Sequence, residues 1–187
     1  MADSSSLVSR MVRAAKLEAN LYEEVESDQK ATMPAMWVVI IASIAAGIGS
    51  GIAGIMSGKG PMFFLWGLLG GLAVALIGWL AWAGITYLLG TTVLKGPNTS
   101  STWGELLRTI GFAQSPGVFK VLSFVPFVGG VIAFAASIWM LIAVVIGVRQ
   151  ALDVSTGRAI AVCIVGWLVY FLLGLLLAFL LGFKLFG

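Results

Sequence analysis

Few side chains in this sequence could do chemistry, and the missing types are the most informative. The chain has 187 residues, no histidine and a single cysteine, Cys163. Haem, zinc and hydrolase sites commonly depend on histidine, and iron–sulfur clusters need several cysteines. Gly58-Lys59-Gly60 lacks the spacing of a phosphate-binding loop. We therefore expect no catalytic residue, no metal site and no cofactor, and we predict that the protein is not an enzyme.

Two features of the charged residues are suggestive. Lys120 lies inside an apolar stretch, where a charge costs roughly 2.5–3.5 kcal/mol on insertion scales, so we expect it to snorkel or to face a cavity. Arg149 and Asp153 have helical spacing and are predicted to pair, with Arg158 close by. This cluster indicates either a topology anchor or a contact for a soluble partner.

The composition requires a non-aqueous environment. The chain is 60% hydrophobic and 10% charged, whereas soluble domains have roughly 25% charged residues. Long apolar runs fill it from Met33 to Phe186, and about 20 apolar residues cross a bilayer core. We predict an all-α, polytopic integral membrane protein that contacts lipid. Its net charge of +3 comes from basic residues in short loops, which indicates topology rather than nucleic-acid binding.

Residues 1–32 are predicted to form a cytoplasmic N-terminal segment, and residues 33–187 the membrane domain. Within the segment, residues 7–28 have the pattern of one amphipathic helix. Its first half is basic, with Arg10, Arg13 and Lys16, and we expect it to lie on anionic lipid headgroups. Its second half is acidic, so we expect it to stand off the membrane or meet a protein partner.

Five membrane passages are predicted. Four apolar runs, at about 34–56, 62–93, 131–147 and 159–185, are long enough to cross or nearly so. Residues 105–126 are ambiguous, because Gln114-Ser115-Pro116-Gly117 is a break signal. This stretch is either a kinked third passage or a surface helix followed by a shallow insertion.

The distribution of basic residues favours five passages over four. With five, most basic side chains fall on the N-terminal side, against Lys59 and Lys184 on the other, with Lys120 unplaced. With four, Arg149 and Arg158 would change sides and weaken the bias. Since basic loops stay in the cytoplasm, we expect the N-terminus in the cytoplasm and the C-terminus outside.

Two faces of small residues predict close helix packing. Ser43, Gly47 and Gly51 recur every fourth residue in the first apolar run, and Gly67, Gly71 and Ala75 do so in the second. Such faces let another helix approach closely in a membrane. The neighbour could come from this chain, a second copy or another membrane protein.

Several phrases, taken in order, resemble a known family. They are Leu21-Tyr22-Glu23-Glu24-Val25-Glu26, Leu107-Arg108-Thr109-Ile110-Gly111-Phe112, Val125-Pro126-Phe127-Val128-Gly129-Gly130 and Val148-Arg149-Gln150-Ala151-Leu152. The chain resembles the Ypt-interacting-protein (Yip) domain family, and more closely its prokaryotic branch. The resemblance implies five helices and a cytoplasmic N-terminus. Eukaryotic members are associated with Rab-type GTPases and vesicle traffic, but the N-terminal arm here is short.

Three functions follow from these observations. The first is a membrane scaffold or adaptor that meets a cytoplasmic protein or lipid, and we expect it in the cytoplasmic membrane of a prokaryote. The second is an accessory subunit of a larger energy-transducing membrane complex, and the third is a small transporter or channel near Lys120. We expect the interaction residues to be Arg108, Pro126, Gly129, Gly130, Arg149, Asp153 and Arg158.

Overall fold

In the computed structural model, residues 6–97 and 99–186 are described, and side chains are described to Leu176 and at Phe179. The Lys184 side chain used in the charge count lies outside this set. The described chain is helical without strands, which confirms the all-α prediction. Its α-helices are α1 (Leu7–Ala15), α2 (Ala19–Ser27), α3 (Thr32–Met56), α4 (Pro61–Leu88), α5 (Trp103–Phe112), α6 (Gly129–Ala151) and α7 (Thr156–Phe186).

Four stretches of the described chain are long and apolar enough to cross a membrane. They are Gln29–Met56, Pro61–Val93, Gly129–Ala151 and Thr156–Leu176. The second continues α4 through a π-helical turn at Leu89–Val93. An integral membrane protein is therefore confirmed, and the count of single long helices is one short of the five predicted passages.

The region of the ambiguous third passage forms two shorter helices, which together we call the composite passage. After α5, the chain continues as a 3₁₀ helix at Ser115–Phe124, which we call the long 3₁₀ helix. Pro116 lacks an amide hydrogen and Ser115 Oγ donates to the Phe112 carbonyl at 2.6 Å, so the α-helical ladder stops here. Ten α-helical and ten 3₁₀ residues extend about 35 Å together, whereas the hydrocarbon core is about 30 Å thick. The structure therefore favours a kinked third passage.

Glycines show that this composite passage runs parallel to α3. Gly111 lies against Ala35, and Gly117 lies against Ala42. Further along, Gly49 of α3 lies against the Lys120 carbonyl. The residue numbers in contact therefore increase in the same direction along α3 and along the composite passage. This places the long 3₁₀ helix beside the second half of α3.

The N-terminal segment differs from the prediction, because it forms two helices rather than one. Leu17 has φ 62°, in the left-handed region, and the Leu17 and Glu18 amides bond back to the Ala14 and Arg13 carbonyls. This is the hydrogen-bond pattern of a Schellman helix end. The chain reverses here and α2 folds back beside α1; we call residues 6–31 the arm.

Ion pairs hold the two arm helices together. Arg10 contacts Glu24 and Asp28, both at 3.0 Å, and Arg13 contacts Glu18 at 3.0 Å and Glu24 at 2.6 Å. The sequence did not indicate that Arg10 and Arg13 would pair within the arm, and lipid headgroups would have to compete with these ion pairs. Their charges are satisfied by the acidic half of the same arm.

The best-packed core lies where the arm meets the bundle. The largest fully buried side chains include Leu21 and Tyr22 of α2, Leu106 and Phe112 of α5, and Leu152 after α6. We call this the arm end, and the opposite end, with the Ser57–Gly60 and Pro126–Val128 turns, the far end. The α3 helix starts at the arm end, and α7 runs from the arm end towards the far end.

Candidate functional site

A buried arginine joins the arm to the bundle. Arg108 of α5 is only 6% exposed. Its Nε donates to the Val25 carbonyl at 2.8 Å and the Glu26 carbonyl at 3.1 Å, and its Nη2 also donates to Glu26. These carbonyls belong to the last turn of α2, the negative end of its helix dipole. Arg108 therefore acts as a charged cap that fixes α2 onto α5.

A capping box positions this arginine. The Thr102 hydroxyl accepts from the Glu105 amide at 3.3 Å, and the Glu105 carboxylate accepts from the Thr102 amide at 2.9 Å. These bonds satisfy amides that an α-helix leaves unpaired at its start. The α5 helix therefore begins at a fixed residue, one turn before Arg108.

Two indoles add further anchors that were not predicted from the sequence. Trp139 of α6 donates from Nε1 to the Ala15 carbonyl at the end of α1, at 2.7 Å. Trp79 of α4 donates to the Leu107 carbonyl at 3.0 Å. A tryptophan inside an apolar run must find an acceptor for its N–H when buried. That requirement is the only sign the sequence gives of these bonds.

Acidic groups gather around the arm end. Burial of Glu26, together with the nearby negative charges of Glu105 and Asp153, raises the pKa of its carboxyl to about 7, and Arg108 partly opposes this shift. Burial also raises the pKa of the Tyr22 phenol, whose hydroxyl donates to the Ala14 carbonyl at 3.2 Å. Glu26, which lies in α2 of the arm, thus has a carboxyl pKa close to neutral pH.

The turn between α6 and α7 is linked to the arm. Arg149 Nε donates to Gln150 Oε1 at 2.8 Å, and Gln150 Nε2 donates to Glu23 Oε1 of α2 at 2.6 Å. Asp153 and Arg158 are exposed on the same turn. We call the surface formed by Glu23, Arg149, Gln150, Asp153 and Arg158 the arm-end surface.

The predicted pair between Arg149 and Asp153 is not formed. The α6 helix ends at Ala151, and Asp153 has φ 50° beyond it, so the carboxylate does not sit on the next helical turn. Arg149 Nη1 instead lies 3.5 Å from the Thr156 hydroxyl. The ion pairs found among the described residues all lie in the arm.

The other predicted interaction residues lie at the far end, away from this surface. Gly129 packs against the Ser123 backbone, where an added Cβ would clash. Gly130 has no neighbour within 4 Å of such a Cβ, and Pro126 is exposed. The structure therefore separates the predicted interaction residues into an arm-end group and a far-end group.

The two small-residue faces have different surroundings. Gly47 and Gly51 lie against Leu68 and Phe64 of α4. Gly67 and Gly71 have no atom within 4 Å of an added Cβ. Gly67 and Gly71, together with Ser43 and Ala75, line a cavity.

This cavity has a volume of about 690 Å³ and lies among α3, α4, the long 3₁₀ helix, α6 and α7. Its walls are mainly small and apolar, and Gln114, Lys120, Ser123 and Tyr170 add polar groups. The sequence indicated that Lys120 would snorkel or face a cavity, and the structure shows the second. The sequence did not indicate that Gln114 and Ser123 would line this cavity, because isolated polar residues usually bond within their own helix.

Comparison with known families agrees with this architecture. The model of the Yip1 domain matches residues 19–178, which span α2 and most of α7. Comparisons with curated proteins and with solved structures found no match. The matched region contains Arg108, the composite passage and the cavity. Because the match covers most of the sequence, the chain belongs to the Yip1 domain family.

Proposed function

We propose that this Yip1 domain protein is a non-enzymatic scaffold or adaptor in the cytoplasmic membrane of a prokaryote. Its bundle packs with other membrane helices or with a second copy, and its arm-end surface meets a cytoplasmic protein or lipid headgroups. The N-terminal arm lies in the cytoplasm and the C-terminus outside. The far-end residues Pro126, Gly129 and Gly130 form a tight turn, with Pro126 open to a membrane partner.

The observation that carries this proposal is the fixed position of the arm. Arg108 caps α2, Trp139 binds the end of α1, and Gln150 joins Glu23 to the α6–α7 turn. A surface that is ordered before binding loses less conformational entropy when a partner docks. The exposed charges of Asp153 and Arg158 lie on that surface and suit a polar, soluble partner.

A specific observation also favours the second candidate, an accessory subunit of a larger membrane complex. Only Trp79, Ala83 and Thr86 are buried among the residues of α4. The long apolar surface of this helix is available to the helices of another protein as well as to lipid. The role in an energy-transducing complex would use this surface rather than the arm end.

The test is affinity purification in mild detergent, followed by identification of co-purifying proteins. The double variant Arg149→Ala, Arg158→Ala is expected to lose a soluble partner while expressing normally, because it removes two charges from the arm-end surface. The matched control is Lys59→Ala, which removes an exposed charge at the far end and should retain the partner.

Two results would count against the adaptor. One is a soluble partner that remains in full amount with the double variant. The other is fixed, stoichiometric recovery of membrane subunits alone, which would support the accessory-subunit role instead.

A further inference from the structure

The cavity beside Lys120 contains polar groups that the protein does not satisfy. Lys120 and Ser123 both line it, and neither side chain has a hydrogen-bond or ion-pair partner among the described residues. Both belong to the long 3₁₀ helix, and both adjoin Gly49 of α3. Polar groups without partners are costly at membrane depth. A polar ligand at this point would remove that cost.

The ammonium of Lys120 also lacks an acidic counterpart in the membrane domain. The eight acidic residues of the chain are Asp3, Glu18, Glu23, Glu24, Glu26, Asp28, Glu105 and Asp153. Residues 29–104 and 106–152 therefore contain no carboxylate side chain. Charged side chains within membranes are normally paired, so an anion from outside the chain would supply the counter-ion that the membrane domain lacks. In a bilayer, lipid phosphate is the nearest abundant anion.

The depth of Lys120 suits a lipid headgroup. Its backbone adjoins Gly49, which lies two helical turns, roughly 10 Å, before the end of α3 at Met56. A lysine stem can extend along apolar surface and carry its ammonium towards the interface. Lys120 can therefore carry its ammonium from the cavity part of the way towards the phosphate layer of the leaflet at the far end.

The shape of the cavity suits an acyl chain. It follows α3 from Ser50 to Val39, roughly 16 Å along the helix. Gly67 and Gly71 of α4 form part of its wall and leave open space where side chains would stand. Val74 and Met140 add apolar surface. The cavity thus combines a single cationic group with a mostly apolar channel.

We infer that this cavity is a binding site for one anionic phospholipid. The lipid phosphate pairs with Lys120 and accepts a hydrogen bond from the Ser123 hydroxyl, and an acyl chain lies along the glycine wall of α4. The inference does not depend on the adaptor role, because the cavity and the arm-end surface share no residue. Loss of lipid and loss of a soluble partner are separate results.

The experiment is native mass spectrometry of the full chain in mild detergent, with phosphatidylglycerol or phosphatidylcholine carrying identical acyl chains. The wild type is expected to retain one phosphatidylglycerol in preference to phosphatidylcholine. Lys120→Met should bind phosphatidylglycerol roughly fivefold more weakly, since one cation near an anionic headgroup is worth about that factor. Lys120→Arg should keep most of the binding, because it preserves the charge.

Two further variants make the test specific. Gly71→Leu fills the channel without changing the charge, so it should also weaken phosphatidylglycerol binding; it keeps the inference testable if Lys120→Met fails to fold. Lys59→Met removes an exposed charge at the same end and should leave binding unchanged.

Several results would overturn the inference. The first is equal retention of the two lipids by the wild type, and the second is equal loss in Lys59→Met and Lys120→Met. The third is a wild-type protein that dimerises, together with a Gly71→Leu variant that is monomeric but still binds lipid. In that case a second copy of the chain, and not a lipid, would occupy the cavity. The fourth is ion flux in liposomes that Lys120→Met abolishes, since a lipid-filled cavity does not conduct.

Discussion

At the scale of single residues, the molecule depends on a few polar side chains in apolar surroundings. Arg108 is nearly buried, yet it binds carbonyl oxygens rather than a carboxylate. The planar guanidinium can donate to two neighbouring carbonyls at once, which an ammonium does less well. Arginine at this position therefore has a structural reason independent of any partner.

Replacement of Arg108 by alanine should release the arm. The variant loses charge-assisted hydrogen bonds to the end of α2, a cost of about 2–3 kcal/mol, so we expect faster amide hydrogen exchange throughout α2. Arg108→Lys should give an intermediate result. Arg158→Ala, an exposed arginine at the same end, is the control and should exchange like the wild type. Unchanged exchange in α2 of Arg108→Ala would contradict the capping role.

Glu26 should make arm docking depend on pH. Its pKa is raised from 4.5 to about 7 in the folded chain, so between these values the docked arm keeps a proton that the undocked arm has lost. Docking is therefore strongest below about pH 4.5, weakens as the pH rises through this window, and levels off above about pH 7. Thermal unfolding in detergent at a series of pH values measures this dependence.

The variant Glu26→Gln removes the titrating group and should flatten the dependence on pH. Glu23→Gln removes only one of the smaller charges that raise the Glu26 pKa, so it should reduce the dependence on pH much less than Glu26→Gln does. Stability that increases with pH across the window in the wild type, or an unchanged slope in Glu26→Gln, would show that Glu26 is not the group responsible.

At the scale of elements, the composite passage depends on close backbone contact. Gly49, Gly111 and Gly117 lie where α3 meets α5 and the long 3₁₀ helix, and each would place a Cβ too near its neighbour. In a membrane, small residues let helix backbones approach and gain van der Waals contact. These glycines allow a segment of mixed helix type to pack along α3 from Ala35 to Gly49.

A methyl group at Gly49 should therefore destabilise the bundle. It would collide with the carbonyls of Lys120 and Val121 and with Ser123 Oγ, and overpacking of this kind costs about 1–3 kcal/mol. Gly70→Ala is the matched control, because nothing lies within 4 Å of its added Cβ. That control should be neutral or more stable, since alanine favours helix over glycine by up to about 1 kcal/mol. Equal thermal stability of the two variants would contradict the close approach.

The elements that the sequence predicted well are those governed by hydropathy. Long apolar runs correctly marked α3, α4, α6 and α7, because a membrane helix must be apolar along its length. The arm was wrong in its connection, since nothing in its hydrophobic pattern indicates a left-handed Leu17. The long 3₁₀ helix was unpredictable as such, because 3₁₀ runs beyond three or four residues are uncommon.

The candidate sites could likewise be predicted only where a residue gives a local signal in the sequence. Lys120 could be singled out because a charge in an apolar run needs an explanation. Arg108 was expected to be an interaction residue, but its carbonyl acceptors on α2 depend on tertiary contact and gave no signal in the sequence. Trp139 and Gln150 gave no local signal, because their partners Ala15 and Glu23 are distant in sequence.

At the scale of the whole molecule, the arm and the C-terminus lie towards opposite ends of one bundle. The composite passage is decisive, because without it the four long helices would return the chain to the side on which it began. With it, the arm-end surface lies at one end of the bundle, and the cavity that contains Lys120 extends towards the other. The two proposed sites, the arm-end surface for a soluble partner and the cavity for a lipid, therefore lie at different depths and can be tested separately.

The most direct test of this arrangement is the position of both termini in sealed, right-side-out membrane vesicles. A protease-cleavable tag before Met1 should be protected until the vesicles are permeabilised, whereas a tag after Gly187 should be cleaved at once. Accessibility of both tags from the same face would mean that the segment of α5 and the long 3₁₀ helix does not cross the bilayer, and it would contradict the five-passage architecture.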